Sequence, residues 1–101
     1  MIELREELIE RLRKSGRIVM SWRVFRNDEK RELEQCVYDL YTIAMLLKNF
    51  TDKKDTEAIV DLLQSIYNRI EGLDFEEFED KMEQAIVKTH IREIIYNVRR
   101  I

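Results

Sequence analysis

Proline is absent from this chain of 101 residues, and glycine occurs only at 16 and 72. Hairpin-rich sheets take their tight turns largely from those residue types, so an all-β fold has almost nothing to turn on. A single cysteine, Cys36, cannot close an intramolecular disulfide. A single histidine, His90, cannot supply the paired Glu-x-x-His of a di-iron bundle, and Val87 three residues before it breaks even half of that motif. No run approaches the ~18 apolar residues of a membrane span. The start of the chain lacks a basic-then-apolar signal segment, so the cytoplasm is the expected location.

The residues present point to helices. Hydrophobic residues make up 45% and charged residues 39%, with no low-complexity stretch and no evident internal repeat, which suits one helical domain over 1–101. A chain of 12.4 kDa exposes roughly 18,000 Å² unfolded and roughly 6,000 Å² folded, enough burial for a core without disulfides or metal.

The periodicity predicts an all-α antiparallel bundle of about four helices. Leu4, Leu8, Ile9 and Leu12 line one face of a helix over 2–14, with Gly16 placed to stop it. A second helix over 28–50 starts near Asn27 or Asp28 and carries Leu33, Cys36, Val37, Leu40, Ile43, Ala44, Leu47 and Phe50. Tyr38, Tyr41, Met45 and Leu46 widen its apolar arc. After a polar joint at 51–54, Asp55 or Thr56 can cap a third helix over 55–71, whose face is Ile59, Leu62, Leu63, Ile66, Tyr67 and Ile70. Gly72 and Leu73 then demand a sharp reversal into a fourth helix over 74–100. Asp74 fits its N-cap, Glu77 the N3 position of a capping box, and Leu73 with Phe78 a hydrophobic staple. Such a helix of about 26 residues would measure ~40 Å and carry its end, Ile101 included, beyond the bundle towards a partner. Segment 17–26 is ambiguous, because Ile18, Trp22 and Phe25 fit a helix face while Ile18, Met20, Trp22 and Val24 alternate as a strand does. A lone strand there would need another chain to pair with.

The charges are unevenly placed. Arg11, Arg13, Lys14, Arg17, Arg23 and Arg26 fall in one window with no carboxylate between them, a local charge of +6. From Glu71 to Glu83, seven acids against Lys81 give −6. Arginine binds phosphate through paired hydrogen bonds, so the six basic residues are the expected contacts for a nucleic-acid backbone, with Trp22 and Phe25 able to stack bases or meet a protein. Glu76, Asp80 and Glu83 are the expected acidic contacts for a basic partner. Their i, i+4, i+7 spacing admits a hard cation in principle, yet acids in a first helical turn are favoured by the dipole alone. No metal or cofactor is expected, and no small-molecule substrate.

Catalysis has little footing. His90 lies among Ile86, Val87, Ile91 and Ile94 and reads as a core-edge residue, while Cys36 shares the face of Leu33 and Leu40 and reads as a buried thiol. The Arg-then-His pairing of some helical ribonucleases would need arginine where Glu83, Gln84 and Ala85 stand. Ser15, Ser21 and Ser65 occupy no nucleophile elbow. The sequence therefore suggests a non-catalytic accessory subunit of a nucleoprotein assembly that touches nucleic acid through its basic window. The alternative is a protein-protein interaction module, such as a homodimeric bundle built on the apolar face of Leu33 to Phe50. In size, charge asymmetry and lack of chemistry the chain resembles the small helical subunits of CRISPR-type ribonucleoprotein effectors, and equally small viral inhibitor proteins. That resemblance is one of class, carried by no motif.

Overall fold

In the computed structural model, which describes residues 2–49 and 54–100, the chain forms four helices: α1 (Ile2–Met20), α2 (Asn27–Lys48), α3 (Lys54–Glu71) and α4 (Phe78–Val98). Each packs against two others, α1 and α3 both lying between α2 and α4, which makes an all-α four-helix bundle. Phe50, Ile101 and the joint at 51–53 lie outside the described residues.

The core follows the apolar rows. Leu8, Leu12 and Val19 of α1, Leu40, Ile43 and Leu47 of α2, Ile59, Leu63, Ile66 and Ile70 of α3, and Ile91, Ile94 and Val98 of α4 are all buried. The row Leu33 to Leu47 is thus used inside the bundle; of that helix Tyr38, Met45 and Leu46 are the large apolar side chains left exposed.

Several helix ends differ from the sequence expectation. Helix α1 does not stop at 14 but runs through Gly16 to Met20, and no glycine adopts a positive φ. Gly16 serves packing instead: a methyl group there would lie 3.1 Å from Cζ of Tyr41 on α2, so its bare backbone lets that ring cross α1. Segment 17–26 divides, helical to Met20 and non-helical beyond it, with a turn at Ser21 and bends at Phe25 and Arg26 around the bridge residue Val24. Its single strand-like contact is an antiparallel bridge from Val24 to Phe75 of the same chain, so no second chain is needed. Helix α4 begins at Phe78 rather than Asp74. Its N-cap is Glu77, with extended backbone and no side-chain cap, and Phe78 is 75% exposed, so neither capping box nor staple forms. Residues 73–77 are held out of the helix by the bridge at Phe75, which outweighs the local capping cues. The carboxyl end of α4 does not project, since Ile94 and Val98 are buried against the bundle.

The bridge exposes an internal repeat that sequence identity hides. Residue i of the first half matches residue i+51 of the second: Val24 with Phe75, α1 with α3, α2 with α4. Two carboxylate contacts beside the bridge obey the same exchange. The carboxylate of Glu29, third residue of α2, accepts the backbone N–H of Asp74 at 2.8 Å. The carboxylate of Asp80, third residue of α4, accepts the backbone N–H of Arg23 at 2.9 Å. Under the 51-residue shift Glu29 becomes Asp80 and Asp74 becomes Arg23, so the two hydrogen bonds are images of one another about an approximate two-fold axis at the bridge. Each helix-loop-helix unit holds the loop of the other with a buried carboxylate.

Candidate functional site

The basic window is only partly free. Arg11 pairs with Glu7 at 2.8 Å and Glu93 at 3.5 Å, and Arg17 with Glu10 at 3.4 Å. Arg26 lies 3.3 Å from Asp28 and 3.4 Å from Glu29. The expectation of six uncompensated cations therefore fails for these three, because carboxylates outside the sequence window fold back beside them. Arg13, Lys14 and Arg23 are exposed and make no ion pair among the described residues.

Of the expected aromatic contacts, Trp22 is 5% exposed and stands edge-on to Phe75, with centroids 5.1 Å apart and planes at 81°. It is not a platform for bases. Phe25 is 59% exposed. Among the acids, Glu76 is exposed and Glu83 half-buried, whereas Asp80 is occupied by the Arg23 N–H and is not available to a partner. Among the described residues no group of three or more His, Cys, Asp or Glu converges as a metal would require. Cys36 is buried, and burial pushes its thiol up to about 11 despite the opposing Arg69 nearby. His90 is half-buried at a shallow depression beside Ala85 and Ile86.

The feature that sequence reasoning missed lies between α1 and α2. Met20 and Trp22 on one side, and Leu33, Val37, Tyr38 and Tyr41 of α2 on the other, line a groove of about 510 Å³, completed by Lys30 and Glu34. Met20 is 64% exposed and Tyr38 68%, so apolar surface faces the opening. The indole Nε1 of Trp22 is buried without a hydrogen-bond acceptor, although buried donors nearly always find one.

The other half shows how the fold closes the same place. Glu71 stands for Met20, Gln84 for Leu33, Lys88 for Val37, Arg92 for Tyr41 and Tyr67 for Gly16. There the ammonium of Lys88 lies 3.7 Å from Glu71 and 5.2 Å from the centre of the Tyr67 ring. The Arg92 guanidinium covers that ring at 4.9 Å and hydrogen-bonds its hydroxyl. The Gln84 side chain donates to the carbonyl of Ile70 at 2.7 Å. In α3–α4 the interhelical space is filled and its polar groups are paired; beside α2 at the carboxyl end of α1 a groove with largely apolar walls stays open. The shared register of Leu8, Leu12, Val19 with Ile59, Leu63, Ile70 is the signal by which the sequence could have shown this correspondence.

No family model, curated protein or solved structure matches this chain. No helix among the described residues is long and apolar enough to cross a membrane.

Proposed function

We propose that the chain is a non-catalytic adaptor whose α1–α2 groove accepts an apolar segment of a protein partner. The observation that carries this reading is the difference between equivalent places: the groove between α1 and α2 is open, while its counterpart is closed by Lys88, Arg92 and Tyr67. An amphipathic helix laid into an apolar groove is a recurrent mode of protein recognition. The residues best suited to chemistry support a non-catalytic role, since Cys36 is buried with its thiol kept protonated and Asp80 is committed to the Arg23 backbone.

Photo-crosslinking in the native host tests the reading, with benzoylphenylalanine placed at Tyr38 and, as control, at its counterpart Thr89. A protein adduct at Tyr38 and none at Thr89 is the expected outcome. Adducts at neither position, or equally at both, would remove the groove from consideration.

A second reading rests on Arg13, Lys14 and Arg23, exposed and without ion pairs among the described residues, and on exposed Phe25 two residues from Arg23. These residues would contact a nucleic-acid backbone, as expected of an accessory subunit in a nucleoprotein assembly. A gel shift with single-stranded RNA at ~50 mM salt, weakening as salt rises, is the expected signature. Binding unchanged by reversing all three charges would place the contact elsewhere.

A further inference from the structure

The two halves differ in a second respect, on the outer surface of α4. Phe78, Met82 and Ile86, at 75%, 58% and 52% exposure, recur every four residues and form one apolar row facing away from the core. Their counterparts in α2 are Asn27, Arg31 and Gln35, all polar. The bundle thus builds the matching helix without apolar side chains at these places, and α4 meets the core through Val87, Ile91, Ile94 and Val98 instead. The row is surplus to the fold.

Carboxylates border it. Glu79 stands three residues before Met82 and Glu83 three before Ile86, which makes them neighbours on the helix surface, and Glu76 and Glu77 precede Phe78. None of the four forms an ion pair or side-chain hydrogen bond among the described residues, and Glu77, although the N-cap, makes no capping bond. The cations at hand do not neutralise them. Lys88 is turned to Glu71 and Tyr67, and Arg23, whose backbone meets Asp80 and Glu76, leaves its guanidinium unpaired with either. Lys81 is the one basic residue in the stretch from 71 to 83.

We infer that this face of α4 docks a basic amphipathic helix of a partner protein, its apolar seam laid on Phe78, Met82 and Ile86 and its lysines or arginines set against Glu76, Glu77, Glu79 and Glu83. Charge decides the occupant. Nucleic acid and anionic lipid are repelled by four unpaired carboxylates, and the same row of a second copy would bring acid against acid. A cationic segment with apolar anchors satisfies both parts of the surface at once. From Phe78 to Ile86 the row runs about 12 Å along the axis, which matches about two turns of a partner helix and not a whole folded domain. The contact is correspondingly small and sensitive to salt. It shares no residue with the groove between α1 and α2, so neither reading depends on the other.

Fluorescence anisotropy with the full chain tests the inference. The probe is a labelled synthetic peptide of about 18 residues, long enough to hold a helix, with leucines along one seam and lysines beside it. A control peptide carries glutamate in place of every lysine. The lysine peptide should bind at low salt and weaken as salt rises, and the glutamate peptide should not bind. Met82→Gln with Ile86→Gln should weaken binding by at least about tenfold, because two apolar anchors are lost. Both positions are exposed, so the helicity seen by circular dichroism should persist. Glu79→Gln with Glu83→Gln should weaken binding several-fold and flatten its salt dependence. Glu57→Gln with Asp61→Asn, an equal loss of charge at exposed positions of α3, should change neither, and Tyr38→Lys, which blocks the groove, should leave binding intact. The inference is overturned if the lysine peptide does not bind, if the glutamate peptide binds as well, or if the row substitutions matter no more than those in α3. Binding lost in Tyr38→Lys and kept in the Met82 and Ile86 variant would place the peptide in the groove and equally overturn it.

Discussion

In the first half of the molecule the space between the paired helices is crossed by a ring from the second helix, Tyr41 lying over Gly16 of the first. In the second half the ring belongs to the first helix, Tyr67, and the second answers with Arg92 above it. The backbone plan is the same and the ring has changed sides. The resulting surfaces differ in kind. Tyr67 draws Lys88 and Arg92 onto its face and leaves a closed, polar, internally paired surface. Gly16 allows α1 and α2 to meet over a longer contact than α3 and α4, with a groove of apolar side chains beside it. One fold unit thus serves once as self-contained support and once as a surface left open, and the chemistry of two positions, 16 and 67, accompanies the difference.

The likeness of the halves would break most sharply if their cores were not equivalent. Leu12 and Leu63 occupy matching places and are both fully buried. Leu12→Ala and Leu63→Ala should each cost about 2–5 kcal/mol, the lost transfer energy plus that of the cavity. Urea unfolding should give similar losses for both. A large loss in one half and a small one in the other would show that the repeat is one of shape and not of energetics.

Much of this core was legible in the sequence because every helix writes its buried face at three- and four-residue spacing. Leu8 to Val19 and Ile59 to Ile70 stand out without reference to anything distant. The ends of the helices were less legible for the opposite reason. Asp74, Glu77 and Phe78 carry the local marks of a helix start, but the chain before Phe78 is held out of the helix by the bridge from Phe75 to Val24, some fifty residues away. Gly16 carries the mark of a helix stop, and a tyrosine on another helix needs it to be bare. The basic residues were legible as a cluster but not as pairs, since Glu10, Glu7 and Glu93 reach Arg17 and Arg11 from outside the window. The groove was not legible at all, because it is defined by what its counterpart contains.

The loops offer the next largest contrast between the halves. Glu29, 4% exposed, and Asp80, 9% exposed, each accept one backbone N–H from the opposite loop. Removing either carboxylate leaves a part-buried backbone N–H without its charged acceptor, so Glu29→Ala and Asp80→Ala should each cost about 1.5–3 kcal/mol. The double variant should differ from the sum of the singles, because both hydrogen bonds hold the same pair of loops. Additive losses would mean that the loops are independent. Hydrogen exchange offers a direct readout, with the Asp74 and Arg23 amides losing protection in the corresponding variant.

Matching positions of different chemistry allow a finer test. Cys36 stands where the second half has Val87. Burial raises the thiol from 9.0 to about 11, so the folded state holds the proton more tightly than the unfolded state. The stability this represents is fully present below pH ~9, and is lost as pH rises from there through the folded value. Stability measured from pH 8 to 11 should fall more steeply for wild type than for Cys36→Val, which carries no titrating group at that place. Parallel curves would mean that the thiol is as ionisable in the fold as outside it.

The smallest effect expected is a gain. Ser15 is completely buried on α1 and its hydroxyl has no hydrogen-bond partner, whereas the second half places Ile66 there, equally buried and with nothing to satisfy. Burying an unpaired polar group costs on the order of 1–3 kcal/mol, and part of that should be recovered by Ser15→Ala, which removes the hydroxyl while adding no volume. Alanine also suits a helix interior better than serine by a few tenths of a kcal/mol. Thermal unfolding should therefore show Ser15→Ala to be more stable than wild type by about 1 kcal/mol. The larger Ser15→Ile, which copies the second half outright, should be worse than wild type: α1 lies closer to its partner helix than α3 does, and a branched side chain there would force the helices apart. If Ser15→Ile were tolerated as well as Ser15→Ala, the closer approach in the first half would not be what distinguishes it, and the open groove beside it would need another cause.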